Sequence, residues 1–131
     1  MRRIILIPAL CMALGLSAQN VKKGFKLLEK AEYEKSTEVF REVIGEDEKN
    51  LAAVFGLAMI CADDKSGRYD LIDAWEYAIQ LRQNVEKLTP EELEVIGEYF
   101  INTEVRPRNI PVKKKIQYAL ETIEAKLIKY I

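Results

Sequence analysis

Histidine is absent from all 131 residues. The commonest general base, the usual activator of a nucleophile and the commonest zinc ligand are therefore all missing. Ser-His-Asp triads, Cys-His pairs and HExxH metal sites are excluded. Glycine-rich phosphate loops and the G-x-S-x-G elbow do not occur either. Cysteine appears twice, as Cys11 and Cys61. The longest apolar run, Ile4–Leu16, falls short of the roughly 20 apolar residues that a bilayer span needs. What is present is globular in composition, 49% hydrophobic and 31% charged, unlike a disordered or collagen-like chain.

The first 18 residues differ from the rest. Arg2 and Arg3 give a basic start, Ile4–Leu16 follows, and Ser17, Ala18 and Gln19 supply small and polar residues before the first acid, Glu29. A basic lead, a short apolar stretch and small residues at the cut form the layout of a secretory signal peptide. Residues 1–18 are read as that signal, cleaved near 17–19, and residues 19–131 as one helical domain. Pro8 and Leu10 stand where a lipobox needs Leu and a small residue, which disfavours lipid attachment at Cys11. Cleavage takes two arginines and no acid, so 20 basic and 21 acidic residues become 18 and 21, a net charge of −3. Export and this mild negative charge argue against nucleic acid as a partner. Cys61 is then alone, and the fold rests on packing without an internal disulfide.

Apolar residues in the remaining chain recur at steps of three and four, and no stretch alternates over a strand length. Six faces emerge: Val21, Gly24, Phe25, Leu28, Ala31; Ser36, Phe40, Val43, Ile44; the nearly all-apolar Leu51–Ala62; Leu71, Ala74, Trp75, Ala78, Leu81, Val85, Leu88; Leu93, Ile96, Gly97, Phe100; and Ile116, Leu120, Ile123, Leu127. Asn50 suits a helix N-cap, and Thr89-Pro90-Glu91-Glu92 is a capping box with proline at the first helical position. Lys65-Ser66-Gly67 marks a turn, and Pro107 and Pro111 bracket a loop. The pattern predicts an all-α fold of antiparallel helix hairpins, about three in number.

These positions resemble the tetratricopeptide repeat (TPR) family, in a degenerate, exported bacterial form. Gly24, Ser36, Phe40 and Val43 match the small and aromatic positions of one unit, which Asn50 closes. Leu57, Ala58 and Ala74 match a second unit, with an insertion around Gly67. Leu93, Ile96, Gly97 and Phe100 match the first helix of a third, with Ala119 and Ile123 as approximate counterparts in its second. The family's Trp and Pro positions are not kept, and Val43 and Leu81 replace its usual Ala. The resemblance implies a solenoid in which small residues let helices approach closely. It also implies a concave groove lined by first helices, here Phe25, Leu28, Phe55, Met59, Ala62, Glu94, Glu98 and Asn102, that takes a partner's peptide or helix. The competing reading puts Phe25, Phe55 and Met59 in the core and leaves Glu94 and Glu98 as a solvated face.

Other clusters carry weaker readings. Arg106, Arg108, Lys113, Lys114 and Lys115 lie close together with no acid among them. They suggest weak contact with anionic lipid, or a solvated loop and helix start. Asp63, Asp64, Asp70 and Asp73 lack calcium-loop spacing and fit helix ends and caps instead. Trp75 is expected at the packing centre of its helix, and Cys61 as a buried small hydrophobe. No metal, cofactor or catalytic residue is expected.

The function these residues predict is an exported, non-enzymatic scaffold that binds another envelope protein through a helical-repeat surface. One alternative is the N-terminal repeat segment of a larger envelope protein, or an oligomer. It follows from the apolar Tyr130-Ile131 end, because solenoids close with polar caps; self-association would then run through the C-terminal helix. A minor alternative is a histidine-free enzyme working with carboxylates.

Overall fold

The computed structural model describes residues 19–67, 69–105 and 109–131. The expected signal peptide with Cys11, and Arg68, Arg106, Pro107 and Arg108, lie outside the described residues. The described chain is all-α. Helix α1 covers residues 19–29, α2 Tyr33–Glu46, α3 Leu51–Ala62, α4 Leu71–Asn84, α5 Pro90–Asn102 and α6 Val112–Tyr130. A 3-10 turn, Val85–Lys87, extends α4. Among the described residues no helix is long and apolar enough to cross a membrane.

The helix ends follow from local chemistry. Asn50 accepts from the Ala53 N–H at the start of α3, and Asp70 accepts from Ile72 and Asp73 at the start of α4. Thr89 and Glu92 form both halves of the capping box of α5. Two helices stop by one device. At the end of α1, the Glu32 N–H reaches Leu27 O and the Ala31 N–H reaches Leu28 O. At the end of α5, the Val105 N–H reaches Phe100 O and the Glu104 N–H reaches Ile101 O. This is the Schellman pattern, whose C′ residue is left-handed and usually glycine. Here Ala31 and Glu104 take φ 60° and 54°. Ala31, assigned by periodicity to the buried face, is therefore an exposed helix terminator.

Helix α3 occupies the centre. It carries no charged residue, and ten of its twelve residues are buried. It packs against α2, α4 and α5, and Phe25 of α1 meets its Phe55 with ring centroids 6.4 Å apart. Having no ionic side chain of its own, α3 draws its end partners from its neighbours. Glu92 of α5 accepts from the Ala52 N–H at 3.0 Å. Lys126 of α6 donates to Ala62 O at 3.1 Å. An anion at the N-terminus and a cation at the C-terminus both complement the helix dipole.

Small residues lie where helices touch. An added Cβ at Gly24 would lie 2.6 Å from the Phe40 ring, and the Ser36 hydroxyl donates to Gly24 O at 2.8 Å. Gly97 faces Val112 of α6, whose Cγ2 would be 3.1 Å from an added Cβ. Ala58 and Ala74 are fully enclosed, and Phe100 is buried. Gly24 and Gly97 each precede a left-handed terminator, Ala31 or Glu104, by seven residues, so α1 and α5 repeat one local plan. A second clamp on Phe40 comes from Gly56, where an added Cβ would sit 2.4 Å from the ring.

Helix α6 runs antiparallel to α4. Lys113 pairs with Glu86 beyond the end of α4, Arg82 pairs with Glu124, and Lys126 reaches the far end of α3. Ile116, Leu120 and Ile123 of α6 are buried, as are Ala74, Ala78 and Leu81 of α4. Trp75 is half-buried at the rim of α4 rather than at its packing centre, with the Arg82 guanidinium 5.3 Å above its ring. A large indole does not fit against the close α3 interface that Ala74 and Ala78 provide.

Candidate functional site: a cleft between α2 and α4

The first-helix face is closed. Phe25 is 2%, Leu28 8% and Phe55 0% exposed, so these three residues are core and do not line an open groove. The closing element is α5, which folds onto α1. Tyr99 lies 5.2 Å from the Phe25 ring and 6.3 Å from Phe55, and the Asn102 amide donates to Glu29 at 3.0 Å. Met59 is half-buried against the core and Ala62 is buried. Glu94 and Glu98 remain exposed on α5. The expected wall residues thus divide into an enclosed aromatic cluster and a solvated acidic edge, with Asn102 used as a clasp. Tyr99, which sequence reasoning did not single out, is the residue that seals the face. Burial, with smaller contributions from Asp63, Tyr33 and Glu29, pushes its phenol up to about 12.

The basic run is dispersed. Lys115 is buried, with its ammonium 5.9 Å from the Phe100 ring. Lys113 is bound to Glu86, and Lys114 is exposed. Lys115 therefore contributes to packing and not to a surface patch; its methylenes cover apolar surface. The aspartates separate by role. Asp63 ends α3 and accepts from the Tyr33 phenol at 2.8 Å. That hydrogen bond, ahead of burial, holds the Tyr33 phenol above the usual 10.0. Asp70 caps α4. Among the described residues no group of three or more His, Cys, Asp or Glu is placed to hold a metal ion.

An open concavity lies between the second helices, α2 and α4. It holds about 560 Å³; half-buried Cys61 reaches its base, and Leu57 and Ile60 are buried beneath it. Thr37 and Arg41 of α2 form one wall, and Asp73 and Tyr77 of α4 the other, with Tyr69 and Asp70 at the end. Each wall pair is spaced i,i+4, so a regular helix aims both members at the cleft. Burial raises the half-buried Tyr77 phenol; Cys61 adds to the rise and Arg41 opposes it. Arg41 and the Asp73 carboxylate form no ion pair or side-chain hydrogen bond among the described residues. The cleft thus presents one cation, Arg41, the carboxylates of Glu34, Asp70 and Asp73, and the phenols of Tyr69 and Tyr77. A ligand with both donors and acceptors suits this lining; a partner's extended backbone has both. Sequence reasoning missed Arg41 and Tyr77, because each reads as one ordinary polar residue on an amphipathic helix.

Helix α6 leaves Ile128, Tyr130 and Ile131 exposed at its end, and α4 exposes Ile72 in its first turn. No family model, no curated protein and no solved structure matches the chain.

Proposed function

We propose that this chain is an exported, non-enzymatic binding module of TPR-like hairpins, and that the cleft between α2 and α4 receives an extended segment of an envelope protein. The observation that supports this most is that Arg41 and Asp73, on opposite walls of the cleft, form no ion pair or side-chain hydrogen bond among the described residues. Such groups give a partner's backbone and side chains direction. The leader pattern of Arg2, Arg3 and Ile4–Leu16 supports export. The test is capture of envelope proteins by the wild type and by Arg41→Glu. A partner held by the wild type and lost from the variant, at unchanged melting temperature, is the expected result. Equal capture by both overturns the assignment to this cleft. A reporter fused behind residues 1–18 tests export separately. The exposure of Ile128, Tyr130 and Ile131, at 63%, 72% and 90%, favours a second reading, self-association through the end of α6.

A further inference from the structure

The outer face of the first hairpin carries two opposed rows of charge. Lys22 and Lys26 of α1 and Lys30 in the turn that follows it are spaced i,i+4 and exposed; on α2, Glu38, Glu42 and Glu46 are spaced i,i+4 and exposed. Like charges at i,i+4 oppose helix stability, and the opposite charges nearest the rows are Glu29, i,i+3 from Lys26, and Lys35 and Arg41, each i,i+3 from Glu38. None of the six side chains makes an ion pair or hydrogen bond among the described residues. Each row spans eight residues, about 12 Å at 1.5 Å per residue. The buried sets fix their direction. Val21, Gly24, Phe25 and Leu28 point inward from α1, and Ser36, Thr37, Phe40 and Val43 from α2; the lysines and glutamates occupy the opposite sides. Leu27 and Val39 are half-buried and stand outside the core cluster, next to the rows. A narrow apolar strip flanked by polar rows is the usual anatomy of a modest protein interface.

We propose that a second copy of this chain covers this face, with the lysine row of each protomer on the glutamate row of the other. Self-complementarity is the argument for that occupant, because one hairpin carries both members of the pair at equal length. A two-fold axis parallel to the hairpin lays α1 over the partner's α2 and α2 over the partner's α1, and brings the Leu27–Val39 strip onto itself. This is an isologous contact, closed at two. Exposed ion pairs are individually weak, so the dimer is salt-sensitive and forms at high micromolar concentration.

The test is molar mass by light scattering at about 0.01 M and about 1 M salt, where the screening length falls from roughly 30 to 3 Å. The wild type is expected to show twice the monomer mass at low salt and the monomer mass at high salt. Two charge-reversed chains sharpen the result: Lys22→Glu, Lys26→Glu, Lys30→Glu in one, and Glu38→Lys, Glu42→Lys, Glu46→Lys in the other. Each alone is expected to be monomeric with unchanged helix content, and an equal mixture to form a heterodimer. A wild type that stays monomeric at low salt overturns the proposal. So does a dimer that persists at high salt, or one that survives either reversal and is lost in Ile128→Ser. A lysine-reversed chain that remains monomeric in the mixture overturns it as well.

Discussion

The two sides of the central helix contrast sharply. On the first-helix side, Phe25, Phe55 and Tyr99 stack and Asn102 fastens α5 to Glu29, so the aromatic surface is enclosed. On the second-helix side, α2 and α4 stay apart and leave about 560 Å³ of lined space. Both sides are built from similar hairpins. The difference lies in where the third hairpin goes: α5 closes over α1, and α6 lies along α4. Register within one helix therefore says which residues face inward, while curvature of the array decides which inward-facing residues remain open.

The enclosed side should be the sensitive one. Phe40, fully buried and held between Gly24 and Gly56, is the largest target. Phe40→Ala should cost about 3–5 kcal/mol by denaturant titration, and a loss below 1 kcal/mol would break the contrast. Gly56→Ala comes next. Its Cβ would meet the ring at 2.4 Å, and overpacking of this kind costs roughly 1–3 kcal/mol. Much of that loss should be recovered in the Phe40→Leu background, because the clash is with the ring edge. Glu92→Gln removes the charge of a carboxylate that serves the starts of both α3 and α5; a loss of about 1 kcal/mol is expected. On the open side, Arg41→Glu should change stability by less than about 0.5 kcal/mol while abolishing capture of a partner. Opposite in sign is Ala31→Gly. It relieves a left-handed Ala at C′ and should stabilise by roughly 0.5–1 kcal/mol.

A pH titration sharpens the same contrast. The folded Tyr99 phenol, at about 12, lies above its ordinary 10.0. The folded state therefore binds this proton more tightly than the unfolded state does. The contribution is fully present below pH 10 and is lost as pH rises from 10 through 12. Tyr99→Phe should make that part of the stability curve less steep, the raised Tyr33 and Tyr77 phenols supplying the slope that remains.

Much of the fold was legible because its signals are local. The capping box at Thr89 and Glu92, the caps at Asn50 and Asp70, and the three-four spacing of Phe40 and Val43 each act within a few residues. Gly24 and Gly97 were readable as points of close approach for the same reason. What was not legible was long-range. Nothing in the α5 sequence states that Tyr99 meets Phe25, 74 residues earlier, so the face that the repeat pattern offers as a groove reads as open. Gly56 was hidden within an apolar run whose every residue looks equally buried. The cleft escaped notice because Arg41 and Tyr77 converge only once α2 and α4 are placed on either side of α3.

The most direct test of this account is the proton Overhauser contact between the Phe25 and Tyr99 rings in the folded protein, with Phe25–Phe40 as internal standard. Centroid distances of 5.2 and 5.0 Å predict cross-peaks of comparable strength for the two pairs. A clear Phe25–Phe40 peak with none between Phe25 and Tyr99 would mean that α5 stands off α1, that the first-helix groove is open, and that the central claim is wrong.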